Sequence, residues 1–288
     1  MVKNVLRLSL VIPVFNEAHH IEGCLKAIQA QSVAPLEVIV VDNNSSDDTV
    51  ALARQFSFVT VVSQSRQGRG WARSAGFDAA QGEIIGRIDA DSRIAPNWVQ
   101  HVLARFVADD LLSGVTGLAN TVLIPRINSI KSTFWSRAYF WFVHATFCTI
   151  TLWGANMAIR RSDWLMVRDQ VCNDDFVVHE DQDISIELGA LGLKLEQDND
   201  MKITTGGQTY NYFPKLLHYY HLERNTLQHH RDKGTLKSPK LQKLSFWHVL
   251  PGQIYAFVPG IFMGIASLLW WPIDAVMIKL GHEKTWLD

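Results

Sequence analysis

The chain contains 288 residues, of which 48 % are hydrophobic and 19 % charged, and its formal net charge is −1. This near-neutral charge argues against nucleic acid as a partner, and the length suits one large α/β domain or a domain with an appendage. The three cysteines, Cys24, Cys148 and Cys172, are odd in number and widely spaced. That pattern is typical of reduced thiols in a cytosolic compartment, and Cys24 is predicted to be a small core residue.

The amino terminus carries an apolar run at residues 8–13, which begins just after Arg7 and ends at Pro13. This run is too short for a secretory signal and instead predicts a first buried strand. We therefore expect the catalytic part of the protein to face the cytoplasm.

Apolar strand patterns alternate with helix patterns over the first hundred residues. Ile21, Leu25 and Ile28 follow helical spacing, in a helix that we expect to open at Asn16 or Glu17. Strands are predicted at residues 8–12, 37–41, 58–62 and 84–88, and further helices at 49–56 and 70–80. Continuous apolar strands separated by helices indicate a mostly parallel central sheet with helices on both faces. Residues 111–125 could supply further strands.

Four polar segments follow the predicted strands, at 13–17, 42–48, 63–70 and 89–91. In parallel α/β sheets the ligand crevice lies at the carboxyl ends of the strands. These segments are therefore expected to converge on one edge of the sheet and to form a binding site there.

Two aspartates, Asp89 and Asp91, stand at the end of the last of these strands. Carboxylates at this spacing can both reach one hard cation, and such a cation is a natural partner for a diphosphate. The alternative interpretation is that both aspartates are loop residues that cap the turn at 95–98.

A second acidic cluster, His179-Glu180-Asp181-Gln182-Asp183, precedes apolar residues at helical spacing. It therefore occupies the amino terminus of a predicted helix, where the helix dipole favours negative charge. Simple capping of the helix is one interpretation. The functional interpretation is a rigidly held carboxylate that acts as a general base.

Two apolar segments raise the question of a membrane. Residues 134–153 are unusually aromatic, although Arg137 and His144 interrupt them, and they suggest either a lipid-contacting face or a packed core helix. Residues 255–273 carry no charge and approach the roughly 20 residues that span a bilayer. The basic stretch 215–243 upstream suits phosphates or anionic lipid.

Prolines and glycines weaken a straight span at 255–273, so an in-plane or re-entrant helix and a buried core helix stay open as alternatives. Peripheral or single-pass association with the inner face of the cell membrane is the expectation.

Four motifs in order along the chain resemble glycosyltransferase family 2. They are Val-Ile-Pro-Val-Phe-Asn-Glu at 11–17, Val-Val-Asp-Asn-Asn-Ser-Ser-Asp-Asp-Thr at 40–49, Asp-Ala-Asp at 89–91 and Glu-Asp at 180–181. The resemblance covers roughly residues 8–195. It implies the GT-A fold, with a nucleotide-sugar-binding half at 1–110 and an acceptor-binding half at 111–240. The apolar run at 255–273 lies beyond the resemblance, and from it we expect an apolar, membrane-associating helical segment at 241–288.

The resemblance also assigns site residues by position. Asp181 matches the catalytic base, Asp91 and Asp89 match the metal ligands, and His221 is a candidate third ligand. Nucleotide-sugar binding is assigned to Pro13, Val14, Asn16, Glu17, Asp42, Asn44, Gly68, Arg69, Arg73, Asp89, Ala90 and Arg224. The acceptor side is assigned to Trp153, Gly154, Asn156 and Glu180.

Members of this family invert the anomeric carbon, and the resemblance therefore implies a divalent cation, Mn²⁺ or Mg²⁺, that neutralises the departing nucleoside diphosphate. Asp181 would take the proton of an acceptor hydroxyl. The acceptor is expected to be a glycan or a lipid-linked molecule at the membrane face. A polyprenyl phosphate acceptor would need no base, and Asp181 would then only position it.

Many processive members carry a Gln-x-x-Arg-Trp motif after the base, and this chain has none. Transfer of a single sugar is therefore expected. A membrane-associated scaffold that has kept the fold without catalysis is the alternative from another functional class.

Overall fold

The computed structural model describes residues 6–122, 131–133, 136–137, 140, 150–205 and 213–236. The elements within them are β1 (Leu8–Val14), α1 (Ile21–Gln29), β2 (Glu37–Asp42), α2 (Thr49–Ala53), β3 (Val59–Ser63), α3 (Arg69–Ala79), β4 (Ile84–Ile88), β5 (Arg93–Ile94), α4 (Trp98–Ala108), β6 (Leu112–Val122), β7 (Lys131–Ser132), β8 (Asn156–Arg160), α5 (Arg161–Val167), α6 (Glu180–Ala190), β9 (Lys194–Thr205) and α7 (Phe213–Asp232).

The described strands form one nine-stranded sheet in the order β3-β2-β1-β4-β8-β6-β9-β5, with β7 paired to β6. Strands β3, β2, β1 and β4 are parallel to one another, as the alternation of strands and helices predicts. The other half is mixed, because β8 runs antiparallel to both β4 and β6, while β6 and β9 are parallel. The prediction of a mostly parallel sheet was therefore wrong for this half.

The antiparallel direction of β8 determines which chain segment lies at the edge of the sheet where β4 ends. Asn156, the first residue of β8, pairs with Ile88, the last residue of β4. The chain segment just before β8 therefore reaches the same edge at which Asp89 follows β4.

Both faces of the sheet are covered, which explains why its first strands read as continuous apolar runs. Leu10 and Ile12 of β1 pack into one core together with helices α1 and α4. Val11 of the same strand points to the opposite face and packs into a second core with Phe77 of α3 and Trp164 of α5.

Helix α1 buries Ile21, Leu25 and Ile28, as their spacing predicts. It begins at Ile21, however, and not at Asn16 or Glu17. A turn comes first, because the Glu17 carbonyl accepts hydrogen bonds from the N–H groups of His20 and Ile21, both at 2.9 Å. Residues 15–20 therefore belong to the loop that follows β1 and not to the helix.

Among the helices of the described residues, none is both long and apolar enough to span a bilayer. The predicted segment 255–273 lies outside the described residues, as does most of the aromatic stretch 134–153. Cys24 is fully buried, as predicted.

Candidate functional site

The loops that follow β1, β2, β3 and β4 lie at one edge of the sheet and are joined by hydrogen bonds. Asn16 Oδ1 accepts the backbone N–H of Ser46 at 2.8 Å. Asn43 Oδ1 accepts the N–H of Gly68, also at 2.8 Å. The convergence expected from the sequence is therefore observed, and it is maintained by side-chain contacts between the loops.

Several residues predicted to bind the nucleotide-sugar shape these loops. Asn16 and Asn44 adopt left-handed φ angles of 54° and 68°, a conformation that asparagine tolerates better than most residues. The amide of Asn44 donates to the Ser65 carbonyl at 2.9 Å. Asp42 Oδ1 accepts the N–H of Ser45 at 3.0 Å, so these side chains order the edge into which a donor would fit.

Asp89 and Asp91 follow β4 at this edge, and other acidic groups surround them. Asp91 Oδ2 accepts the hydroxyl of Thr205 at 3.0 Å. Burial raises the pKa of Glu17, and the charges of Asp91 and Asp47 add to that shift, while the His20 contact opposes it. Negative charge therefore accumulates where the loops after β1 and β4 meet.

The pKa of Asp89 is raised to about 7 by burial and by the charges of Asp91, Asp181 and Glu180, against the opposing effect of Arg87. Burial is the largest of these effects, and repulsion from the three carboxylates adds to it. A divalent cation bound there would remove this repulsion, and carboxylate oxygens are the ligands that Mn²⁺ and Mg²⁺ prefer. The donor set of Asp89 and Asp91 therefore fits the expected ion.

Asp181 lies in the first turn of α6, and each of its carboxylate oxygens has one donor. Arg87 Nη1 donates to Oδ1 at 2.8 Å, and the N–H of Gly154 donates to Oδ2 at 2.8 Å. Asp181 is only 4 % exposed. Its acid group is thus held at the sheet edge by the end of β4 and by the segment before β8.

The neighbouring Glu180 is equally buried and faces two arginines. Its carboxylate lies 3.5 Å from Arg87 Nη2 and 3.5 Å from Arg69 Nη2. Burial alone would raise the pKa of Glu180, but the charges of Arg69, His179 and Arg87 outweigh burial and lower it. The neighbouring positive charges therefore favour the anionic form of Glu180 beside Asp181.

A further acidic residue, Asp175, was not singled out in the sequence. Its carboxylate accepts the backbone N–H groups of Arg69 at 2.6 Å and of Gly70 at 3.0 Å. These groups form the amino terminus of α3, where a negative charge is favoured. Gly68 precedes them with φ at 143°, a conformation that other residues rarely adopt. No local sequence pattern predicts this contact, because Asp175 is 105 positions from Gly70 in the chain.

Two predicted site residues lie in the interior, and their roles toward the donor and the acceptor stay predictions. Arg73 is fully buried, and its Nη1 donates to the Glu180 carbonyl at 2.7 Å. Asn156 is also fully buried; it accepts from Trp98 Nε1 at 2.8 Å and donates to the carbonyls of Leu118 and Met201. The Arg73 side chain thus holds the first turn of α6, and the Asn156 side chain joins β8 to β6 and β9.

The remaining predicted residues keep positions compatible with their assignments. Val14 and Ala90 are buried and can offer only backbone groups, and Pro13 is half-buried at the end of β1. Trp153 is half-buried, and its backbone N–H donates to Thr116 Oγ1 at 3.0 Å. His221 and Arg224 are exposed on α7, and their roles toward the donor stay predictions.

A separate buried cluster joins α6 to α7. His230 Nε2 lies 3.1 Å from Asp183 Oδ1, and His230 Nδ1 lies 3.5 Å from Glu187 Oε1. These three side chains are close enough to one another to hold a metal ion. However, the carboxylates face different ring nitrogens, and Lys233 Nζ already contacts Glu187 at 2.6 Å. We therefore interpret the cluster as a buried polar network that joins α7 to α6.

Replacing His230 with alanine is expected to lower the free energy of unfolding by about 3–5 kcal/mol, because a buried charge loses its partner. The midpoint of denaturation in urea measures this loss. His229→Ala is the matched control. The His229 ring is half-buried beside the His230 ring, and among the described contacts it touches neither Asp183 nor Glu187. A loss below about 1 kcal/mol, the typical cost of a surface ion pair, would contradict the assignment.

Comparison with known proteins identifies a family that the chain matches. Residues 9–161 match the family model described as glycosyl transferase family 2. The chain is 36 % identical over 99 residues to glycosyltransferase AglE of Haloferax volcanii, a match that covers 32 % of this chain and 33 % of AglE. It is 29 % identical over 210 residues to the probable glycosyltransferase YdaM of Bacillus subtilis, covering 66 % of this chain and 48 % of YdaM.

Solved structures show the same fold at low sequence identity. Mannosyltransferase PcManGT of Pyrobaculum calidifontis superposes with a TM-score of 0.65 at 20 % identity, over 99 % of this chain and 83 % of that chain. Staphylococcus aureus TarS gives a TM-score of 0.57 at 14 % identity, over 90 % of this chain and 54 % of that chain. The GT-A fold expected from the motifs is confirmed. The matched region spans about a third of the length of the first curated relatives.

Proposed function

Because the chain belongs to glycosyl transferase family 2, we propose that it transfers a single sugar, with inversion, from a nucleoside-diphosphate sugar to an acceptor. The observation that carries this proposal is the meeting of two acidic groups at one sheet edge. Asp89 and Asp91 follow β4, and Asp181 is held beside them through Arg87. A donor bound at the first group would therefore lie next to the second.

Asp89 and Asp91 would hold a divalent cation, with the donor diphosphate as its further ligand. Bound there, the ion supplies Lewis-acid stabilisation of the departing diphosphate. PcManGT was solved with GDP-Man and Mn²⁺, which makes Mn²⁺ the first ion to test. The ordered loops carrying Asn16, Asp42 and Asn44 would receive the nucleoside, because they converge at the same edge.

On the acceptor side, a hydroxyl oxygen attacks the anomeric carbon as the bond from that carbon to the diphosphate oxygen breaks. The hydroxyl proton passes to the carboxylate of Asp181. Its two present contacts occupy only part of its capacity, since a carboxylate offers about four acceptor positions. Gly154 and Arg87 fix the direction of the group, so that the free positions keep one orientation.

We further propose that the nucleotide-sugar-binding half comprises residues 1–110 and the acceptor-binding half residues 111–240. A glycan or lipid-linked acceptor at a membrane face follows from the apolar segments 134–153 and 255–273 in the sequence. If the acceptor is instead a phosphate, it is already an anion, and Asp181 would serve only to position it.

The proposal is tested by incubating the full chain with UDP-, GDP- and dTDP-sugars and measuring release of the nucleoside diphosphate. We expect turnover of one donor class with Mn²⁺ or Mg²⁺, and its loss when EDTA is added. A non-catalytic scaffold would release nothing from any donor. Absence of release, together with no thermal shift on adding Mn²⁺ and UDP or GDP, would overturn the proposal.

A further inference from the structure

Arg87 is a buried cation inside an apolar strand, and three carboxylates surround its guanidinium. The residue is 3 % exposed in the middle of the sheet. Nη1 lies 2.8 Å from Asp181, while Nη2 lies 3.5 Å from Glu180 and 3.7 Å from Asp89. One side chain therefore contacts both the proposed base and one of the proposed metal ligands.

The chain leaves room for this guanidinium at Gly154. A Cβ atom at position 154 would come within 2.4 Å of Arg87 Cζ and Nη1, well inside any tolerable contact. The N–H of the same glycine donates to the second oxygen of Asp181. The missing side chain of Gly154 thus leaves space for the guanidinium, and its N–H supplies the second hydrogen bond to the Asp181 carboxylate.

An arginine suits this position better than a lysine would. Its planar fork presents several donors in fixed directions, so it can contact different acids at once, whereas an ammonium group is a compact point charge. Charge-assisted hydrogen bonds of this kind are short and directional. The 2.8 Å contact to Asp181 is the shortest of the three, so Asp181 is the group that Arg87 orients most strongly.

We infer that Arg87 is a positioning residue for the transfer step: it holds Asp181 at a fixed place relative to the Asp89 end of the donor site. The inference rests on the proposed function and deepens it. A merely structural Arg87 would neutralise buried acids and stabilise the fold. A positioning Arg87 also determines the rate at which correctly bound substrates react.

The test compares Arg87→Met and Arg87→Lys with the natural chain, in kcat, in KM for the donor, and in the affinity for Mn²⁺ with the nucleoside diphosphate. In Arg87→Met we expect kcat to fall at least about 100-fold, the size of effect that a misplaced catalytic group produces. The affinity for Mn²⁺ with the nucleoside diphosphate should change much less than kcat, since Arg87 meets the proposed donor site only through Asp89, at 3.7 Å. Arg87→Lys should recover part of kcat, because its charge is retained.

Gly154→Ala provides a second variant in case Arg87→Met does not fold. It displaces the guanidinium while every charge is kept, and we expect kcat to fall at least about tenfold by the same misplacement. Arg160→Met is the matched control: Arg160 donates to the carbonyls of Leu112 and Asp109, away from these acids, so its loss should leave kcat per folded molecule unchanged.

A folded Arg87→Met or Gly154→Ala protein with kcat within threefold of the natural chain would overturn the inference. So would a loss of activity that is wholly explained by weaker donor binding. The proposed function fails separately, if the natural chain itself releases no nucleoside diphosphate from any donor.

Discussion

Replacing Asp181 with asparagine is expected to lower kcat about 10²- to 10⁴-fold, the usual contribution of a general base. Asparagine has nearly the same shape, and its carbonyl oxygen can still accept the N–H of Gly154. It cannot take a proton from an acceptor hydroxyl. Donor binding should therefore change by less than about threefold, because the interaction lost is made only in the transition state.

The measurement is steady-state transfer to a hydroxyl acceptor, with calorimetry of the nucleoside diphosphate in parallel. Asp169→Asn is the matched control, since its side chain is 83 % exposed and its ion pair is with Arg168. The unfolding midpoint must be followed too, because the new amide faces Arg87. Because the acceptor in this assay is a hydroxyl, equal kcat in a folded Asp181→Asn protein would show that the base lies elsewhere.

Strands β1, β2 and β4 could be predicted because they are buried on both faces of the sheet. The run Ile84–Ile88 was predicted as a strand and is β4, while β1 and β2 extend slightly beyond their predicted ends. Burial on both faces leaves an uninterrupted apolar run, which stands out against the polar loops. The position of the donor edge followed from these strands, since parallel strands all end on one side.

The other half could not be predicted to the same degree, because its pairing depends on long-range contacts. Nothing near Asn156 in the sequence shows that β8 runs antiparallel to β4. Its amide reads as a polar site residue, yet it serves Trp98 and two backbone carbonyls in the core. A buried polar side chain is recognisable only once its partners are known.

Arg87 illustrates the same limit within the candidate site. A charged residue in an otherwise apolar strand was a usable signal, since such residues are rarely buried without a partner. Its partner Asp181 stands 94 positions away, so the sequence could not say what it contacts. Glu180 and Asp181 stand out in the sequence because they share a recognisable motif, whereas the contacts of Arg87 and Asp175 exist only in the folded chain.

Asp91→Ala is expected to weaken Mn²⁺-dependent binding of the nucleoside diphosphate at least about 100-fold, because loss of even an outer-shell partner costs 10- to 100-fold in metal affinity. The motivating observation is the crowding of carboxylates at the end of β4, which raises the pKa of Asp89. Removing Asp91 relieves that repulsion and also removes the acceptor of the Thr205 hydroxyl. The unfolding midpoint is therefore measured as well, which separates ion binding from folding.

Calorimetry with UDP and GDP, with Mn²⁺ and with EDTA, measures the effect. Asp200→Ala is the control, because Asp200 is an 81 % exposed aspartate on β9. In EDTA, the natural chain should bind the nucleotide as weakly as Asp91→Ala does in Mn²⁺, since both then lack the ion as a bridge between protein and diphosphate. If Asp91→Ala instead keeps the Mn²⁺-dependent affinity, the ion is held by other residues, and the acidic pair after β4 is only the cap of a turn.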